Sequence, residues 1–198
     1  VDSLLHPLLS RLQATPVSHK DSADYWALRA AENFPLPGGH YDRGIFSVYL
    51  LNLVHMHPGQ GTFQPAGVLH AYLEGVNVEL MANSDNVLRG GLTTKHVDVQ
   101  ELLNILTFEG GTPEIFDGRP ISAQQRVYRT PAEEFELTRI TLAAHDRYAG
   151  EATYGPKALL VLHGSATLTA ASRDVSLQRG AIVLVPSGAE FVLETRLD

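Results

Sequence analysis

From Gly180 to Thr195 the sequence runs GAIVLVPSGAEFVLET. An apolar run, a Pro-x-Gly turn at Pro186–Gly188 and a second apolar run predict two short strands joined by a tight turn. The pattern has an earlier copy. Gly61 and the approach TFQ lead into Pro65-Ala66-Gly67-Val68-Leu69-His70, again Pro-x-Gly followed by apolar residues. The later copy reaches Phe191 where the earlier one reaches His70. One unit therefore carries a candidate metal ligand, and the other carries a side chain that cannot bind a metal.

Around this stretch the C-terminal part reads as strand after strand. EFELTRITL, ALLVLHG, SATLTAA, AIVLVP and EFVLET are rich in β-branched and aliphatic residues and are punctuated by glycine and proline. Short strands at this spacing point to a sandwich or barrel, and the repeated Gly…Pro-x-Gly pattern to a double-sheet, cupin-type jelly roll. Further upstream, IFSVYLLNLVHMH (45–57), VLHAYL and VNVELM are expected as strands, the last two forming a hairpin about Glu74-Gly75. Residues 107–125 read as connection. Asp98 to Leu106 reads as a short capped helix. The first thirty or so residues are helical: Leu4, Leu5, Leu8, Leu9 and Leu12 fall at helical spacing, Asp21-Ser22 is a cap, and Pro35, Pro37, Gly38 and Gly39 stop the second helix. The expected fold is mainly β, with cupin-type jelly-roll domains after a short N-terminal helical segment. The expected divisions are 1–42 as the end of a helical region, 43–124 as part of a first jelly roll, and 125–198 as a second without a metal site.

Composition narrows the function. The chain has 198 residues, 44% hydrophobic and 19% charged, and a net charge of -7. That balance argues against nucleic acid as the main partner. It leaves room for a phosphorylated small molecule, which a few local Arg or Lys side chains can hold. With no cysteine, any metal must use His, carboxylate or amide ligands, in keeping with a cytoplasmic setting. No apolar run is long enough to span a bilayer, so a membrane partner is not expected.

The chemistry concentrates between His70 and Lys95. A two-residue turn at Glu74-Gly75 would set Tyr72 opposite Asn77 and His70 opposite Glu79, so that all four share one face. His70 on that face is either a hydrogen-bonded half-buried histidine or a ligand. Arg89 beside Gly90-Gly91 is either a surface charge or a guanidinium held close to a phosphate or oxyanion. Asp85 lies in the polar turn Asn83–Asn86, and Lys95 adds a second positive charge. His55 and His57 alternate on LVHMHPG and read as a solvated strand end, although with His70 they mimic the His-x-His…His set of metal cupins. His145 and His163 read as structural.

Those residues carry a resemblance. HAYLEGVNVELMANSDNVLRGGLTTKHVDVQELLNIL (70–106) resembles the corresponding stretch of the type I mannose-6-phosphate isomerases, with His70–Leu73, Glu79–Ala82, Ser84–Asn86, Arg89–Gly90 and Gly91–Lys95 matching in turn. LLNLVHMHPGQ and YRTPAEEFELTRITL extend the likeness over nearly all the chain. The resemblance implies a zinc-dependent aldose–ketose isomerase interconverting mannose 6-phosphate and fructose 6-phosphate. It implies His70 as a zinc ligand and Arg89 as the catalytic arginine, with Glu79, Asp85 and Lys95 on other active-site positions. Glu79 is then the first candidate for the proton-transferring base and Asp85 the second, while Lys95 helps to neutralise phosphate. The family's remaining zinc ligands, a Gln, a His and a Glu, have no counterpart before Asp42. The chain is accordingly expected to match the C-terminal part of such an enzyme and to need the N-terminal half as its partner. Two rivals stand beside this reading: a non-catalytic cupin sugar-binding or scaffold module, and a metal cupin oxygenase using His55, His57 and His70.

Overall fold

A computed structural model describes residues 1–15, 17–84 and 87–195. The chain divides into two compact units, one made of Val1–Gly118 with Arg129–Glu136, the other of Arg119–Tyr128 with the chain from Leu137 onward.

The first unit is built on helices. α1 (Asp2–Ala14) turns Leu5, Leu9 and Leu12 to one side, and all three are buried. α2 (Ala23–Asn33) answers with Ala27, Ala30 and Ala31, whose small side chains give a flat contact face. Each leucine removed from water contributes roughly 1.5–3 kcal/mol. α2 starts where expected: the Ser22 hydroxyl accepts from the Asp24 N–H at 3.2 Å. It ends at Phe34, before Pro35, and Pro37–Gly39 form a 3₁₀ turn.

The stretch 45–57, expected as a strand, is instead α3 (Ile45–Leu50) followed by irregular chain. Burial overrides β-propensity here. Ile45 is completely buried in the cluster formed by α1 and α2, and Phe46 and Val48 pack against the same cluster. The expected hairpin strands at 68–73 and 76–81 also form no ladder, because a strand needs a neighbour for its N–H and C=O groups. Among the described residues of this region the pairing is a single bridge, with Gly61 and Phe116 exchanging both backbone hydrogen bonds at 2.8 and 3.0 Å. Val76 and Val78 are left exposed. α4 (Val99–Ile105) forms as read, with the Asp98 carboxylate accepting from the Glu101 N–H at 3.0 Å.

The second unit is all antiparallel strand: β1 (Arg119–Pro120), β2 (Gln125–Tyr128), β3 (Leu137–Ile140), β4 (Arg147–Gly150), β5 (Lys157–Leu160), β6 (Ser165–Ala170), β7 (Arg173–Gln178), β8 (Ile182–Val185) and β9 (Phe191–Glu194). They form three sheets, ordered β1-β2-β3, β4-β9-β6-β7 and β5-β8. Leu168, Leu177, Val185, Phe191 and Leu193 make the core. The β6–β7 hairpin closes at Ala171-Ser172 with φ of 47° and 61°, and positive φ at both central residues is the signature of a type I′ turn. Phe191 is packed in the core over Gly150 of β4, its cross-strand partner. The fold is thus mixed, helices followed by antiparallel sheets, rather than mainly β. No helix among the described residues is long and apolar enough to cross a membrane.

Candidate functional site

The segment carrying His70 is shaped by Gly67. Its φ of +80° needs glycine, and a Cβ there would stand 2.8 Å from the Ile105 carbonyl oxygen. Its carbonyl accepts from the Thr107 N–H at 2.9 Å, tying the turn to the end of α4. Three residues on, His70 Nδ1 lies 3.0 Å from the Val68 carbonyl oxygen. A carbonyl can only accept, so Nδ1 carries a proton, and in the neutral ring Nε2 then presents its lone pair. A histidine that ligates a metal commonly has this tautomer, fixed by its other nitrogen.

The His70 and Tyr72 rings stand 6.1 Å apart, edge to face. Partial burial and the nearby Glu79 carboxylate hold the Tyr72 phenol above its ordinary range, with Asn77 opposing the shift. His70, Tyr72, Asn77 and Glu79 therefore form a chain of neighbours, the grouping expected of a hairpin, although no ladder supports it. The tip between them is anchored. Glu74 pairs with Lys20 and with Arg29 of α2, the latter at 2.6 Å, and these two hydrogen bonds hold its carboxyl below the usual range. Arg29 in turn lies over the Trp26 ring, 5.2 Å from its centroid.

The Arg89 segment is packed against this one. A Cβ on Gly90 would stand 3.0 Å from Leu69 Cδ2 and 4.0 Å from Leu102 Cδ2, so Gly90 fits between the residue before His70 and the buried face of α4. Arg89 is half-buried, and Lys95 is exposed beyond a turn in which its N–H donates to the Thr93 hydroxyl at 3.1 Å. Asp85 lies outside the described residues.

His55 Nε2 lies 3.3 Å from Asp21 Oδ1, and the His57 N–H donates to Gln60 Oε1 at 2.8 Å. Among the described residues no group of three or more His, Asp or Glu side chains is placed to hold a metal ion. The described residues do not by themselves fit a zinc site. His145 and His163 are exposed. Asp42, which reading the residues in order did not single out, holds the Arg89 segment through a contact fifty residues away in sequence.

The chain is homologous to the type I mannose-6-phosphate isomerases. It is 39% identical over 150 residues to mannose-6-phosphate isomerase 2 of Arabidopsis thaliana, a match covering 76% of this chain and 34% of the relative. With the Escherichia coli K12 mannose-6-phosphate isomerase the identity is 36% over 143 residues, covering 70% and 35%. The apo mannose 6-phosphate isomerase of Salmonella typhimurium matches the structure with a TM-score of 0.71 at 26% identity, covering 98% of this chain and 50% of that one. The Salmonella enzyme bound to fructose 6-phosphate and zinc matches with a TM-score of 0.60 at 24% identity, over 99% and 55%, a likeness of fold. No family model matches. The chain spans about a third to a half of the length of the relatives it matches.

Proposed function

We propose that this chain forms part of a mannose-6-phosphate isomerase and supplies one side of its active site. The observation that carries the reading is the homology to mannose-6-phosphate isomerases over three quarters of the chain. Two features of the geometry support it: the His70 tautomer, with Nε2 free to ligate, and the seating of Gly90 on Leu69, which sets the Arg89 segment beside the His70 segment.

In this reading His70 is one zinc ligand, and the other ligands come from polypeptide beyond these 198 residues. Residues 1–42 end a helical region, 43–124 belong to the catalytic jelly roll, and 125–198 form a cupin-like domain without metal. The substrate is open-chain mannose 6-phosphate. Glu79, or Asp85 in its place, takes the proton from C2 and returns it to C1, while a hydroxyl proton passes from O2 to O1 to give fructose 6-phosphate. Arg89 stabilises the negative oxygen of the enediolate between these steps, and Lys95 pairs with the phosphate. Tyr72, beside Glu79, holds that carboxylate in place.

The test joins the chain to the part of a relative's sequence that it does not cover and follows conversion of mannose 6-phosphate with zinc present. Turnover that disappears with Glu79→Gln supports the assignment. Fructose 6-phosphate binding with no turnover in the joined protein would favour a sugar-binding module instead.

A further inference from the structure

Asp42 stands three residues before Ile45, the first residue of α3, and its two carboxylate oxygens are divided between distant parts of the chain. Oδ1 accepts from the Gly44 N–H at 2.7 Å, and Oδ2 accepts from the Leu92 N–H at 3.2 Å. The backbones meet at this crossing with no room to spare. A Cβ on Gly91 would stand 3.3 Å from Gly44 Cα, and one on Gly44 would stand 3.0 Å from Leu92 Cγ and 3.1 Å from Leu92 N. Gly91 has φ +131° and Leu92 φ +48°, a left-handed conformation that a leucine adopts only where its surroundings impose it. The Leu92 side chain packs against the buried cluster of α1, α2 and Ile45. Leu92 is thus fixed twice, by its side chain in the helical core and by its N–H on Asp42. Arg89 lies three residues before this anchor and Lys95 three after it.

We propose that Asp42 is the positioning residue for Arg89 and Lys95, setting where the two cationic side chains meet a phosphorylated sugar. The proposal rests on the isomerase reading of that segment. A carboxylate is required because two N–H donors converge on it; an asparagine offers one carbonyl oxygen and turns an NH₂ donor toward the other N–H. Asp42→Asn therefore keeps the size of the side chain; its one carbonyl oxygen stays with the nearer Gly44 N–H, and the longer tie to Leu92 is lost.

The test uses the 198-residue chain. Amide hydrogen exchange is read at Leu92, with Ala27 and Ala30 as internal references, and fructose 6-phosphate is titrated while the backbone amides of 89–95 are followed by NMR. In Asp42→Asn, exchange at Leu92 should rise about tenfold or more, as expected for loss of a hydrogen bond to a charged group. Exchange at Ala27 and Ala30 should hold, and fructose 6-phosphate affinity should fall about tenfold. On an Arg89→Ala, Lys95→Ala background Asp42→Asn should weaken binding no further, since it acts through those two side chains; a general loosening of the fold would add to the loss. Unchanged exchange at Leu92 in Asp42→Asn overturns the proposal, as does full-strength binding with Leu92 released, or additive losses. A wild-type chain with Leu92 protected and no fructose 6-phosphate binding overturns the proposal, while the isomerase reading stands or falls on turnover by the joined protein.

Discussion

Gly150→Ala is the substitution whose cost the structure sets most sharply. Gly150 of β4 lies directly across from Phe191 of β9, and an alanine methyl there would meet the Phe191 ring carbons at 2.1, 2.2 and 2.7 Å. Carbon atoms in contact prefer roughly 3.5–4.0 Å, so the ring must retreat by about 1.5 Å. It has nowhere to go. Phe191 is 3% exposed and shares its core with Leu168, Leu177, Val185 and Leu193, with Tyr148 at 6.2 Å between ring centroids. Overpacking a filled core costs ~1–3 kcal/mol, and displacing a whole aromatic ring belongs at the upper end, about 3 kcal/mol. Urea unfolding followed by far-UV circular dichroism measures the loss. Phe191→Leu, destabilising by itself, should cost at least about 1 kcal/mol less in the Gly150→Ala background, because the smaller side chain relieves the clash. A loss below about 0.5 kcal/mol for Gly150→Ala, the range of an ordinary surface change, or strict additivity of the pair would refute the packing argument.

Ser22→Ala removes the cap of α2 and should lower stability by about 1 kcal/mol in the same assay, whereas Ser22→Asp should retain it. Glu74 titrates below its ordinary value of 4.5, because Lys20 and Arg29 favour its charged form. Its tie to α2 should be fully present above that value and lost as pH falls through the lower folded-state pKa. An NMR titration of the Glu74 carboxyl checks this, and added salt should shrink the shift. In the joined enzyme, Arg89→Lys should retain zinc and fold while losing most of kcat, since an ammonium cannot reproduce the planar guanidinium fork. Full activity there would return Arg89 to the role of a surface charge.

The parts of the fold legible in the sequence were those whose signals are local. The leucine spacing of α1, the caps at Ser22 and Asp98, and the apolar runs of β5, β6, β8 and β9 all rest on neighbouring residues. β7, RDVSLQ, escaped notice because Leu177 is its one buried residue and the rest of the strand faces out. Its turn, Ala-Ser, lacks the glycine or asparagine that usually marks positive φ. IFSVYL reads as strand by propensity and becomes α3 because Ile45 is captured by a cluster contributed from residues 5 to 31. Within the candidate site, turn geometry expected Tyr72 opposite Asn77 and His70 opposite Glu79; Tyr72 does lie near Asn77 and Glu79, but the ladder that would set the pairs is not formed. The Asp42–Leu92 tie and the crossing of Gly44 and Gly91 were not legible, since nothing local tells that residues so far apart in sequence will touch.

Zinc-supplemented turnover of mannose 6-phosphate shows whether these residues form one side of an isomerase site. The assay compares the 198-residue chain alone with the chain joined to the remainder of a relative. Catalytic zinc sites use at least three protein ligands, and this chain's described residues present His70 without such a group. The chain alone should therefore show negligible turnover. The joined protein should be active, and His70→Ala should remove its zinc and its activity together. Substantial turnover by the chain alone, or an active His70→Ala protein with full zinc occupancy, would contradict the account and shift the metal site toward His55 and His57.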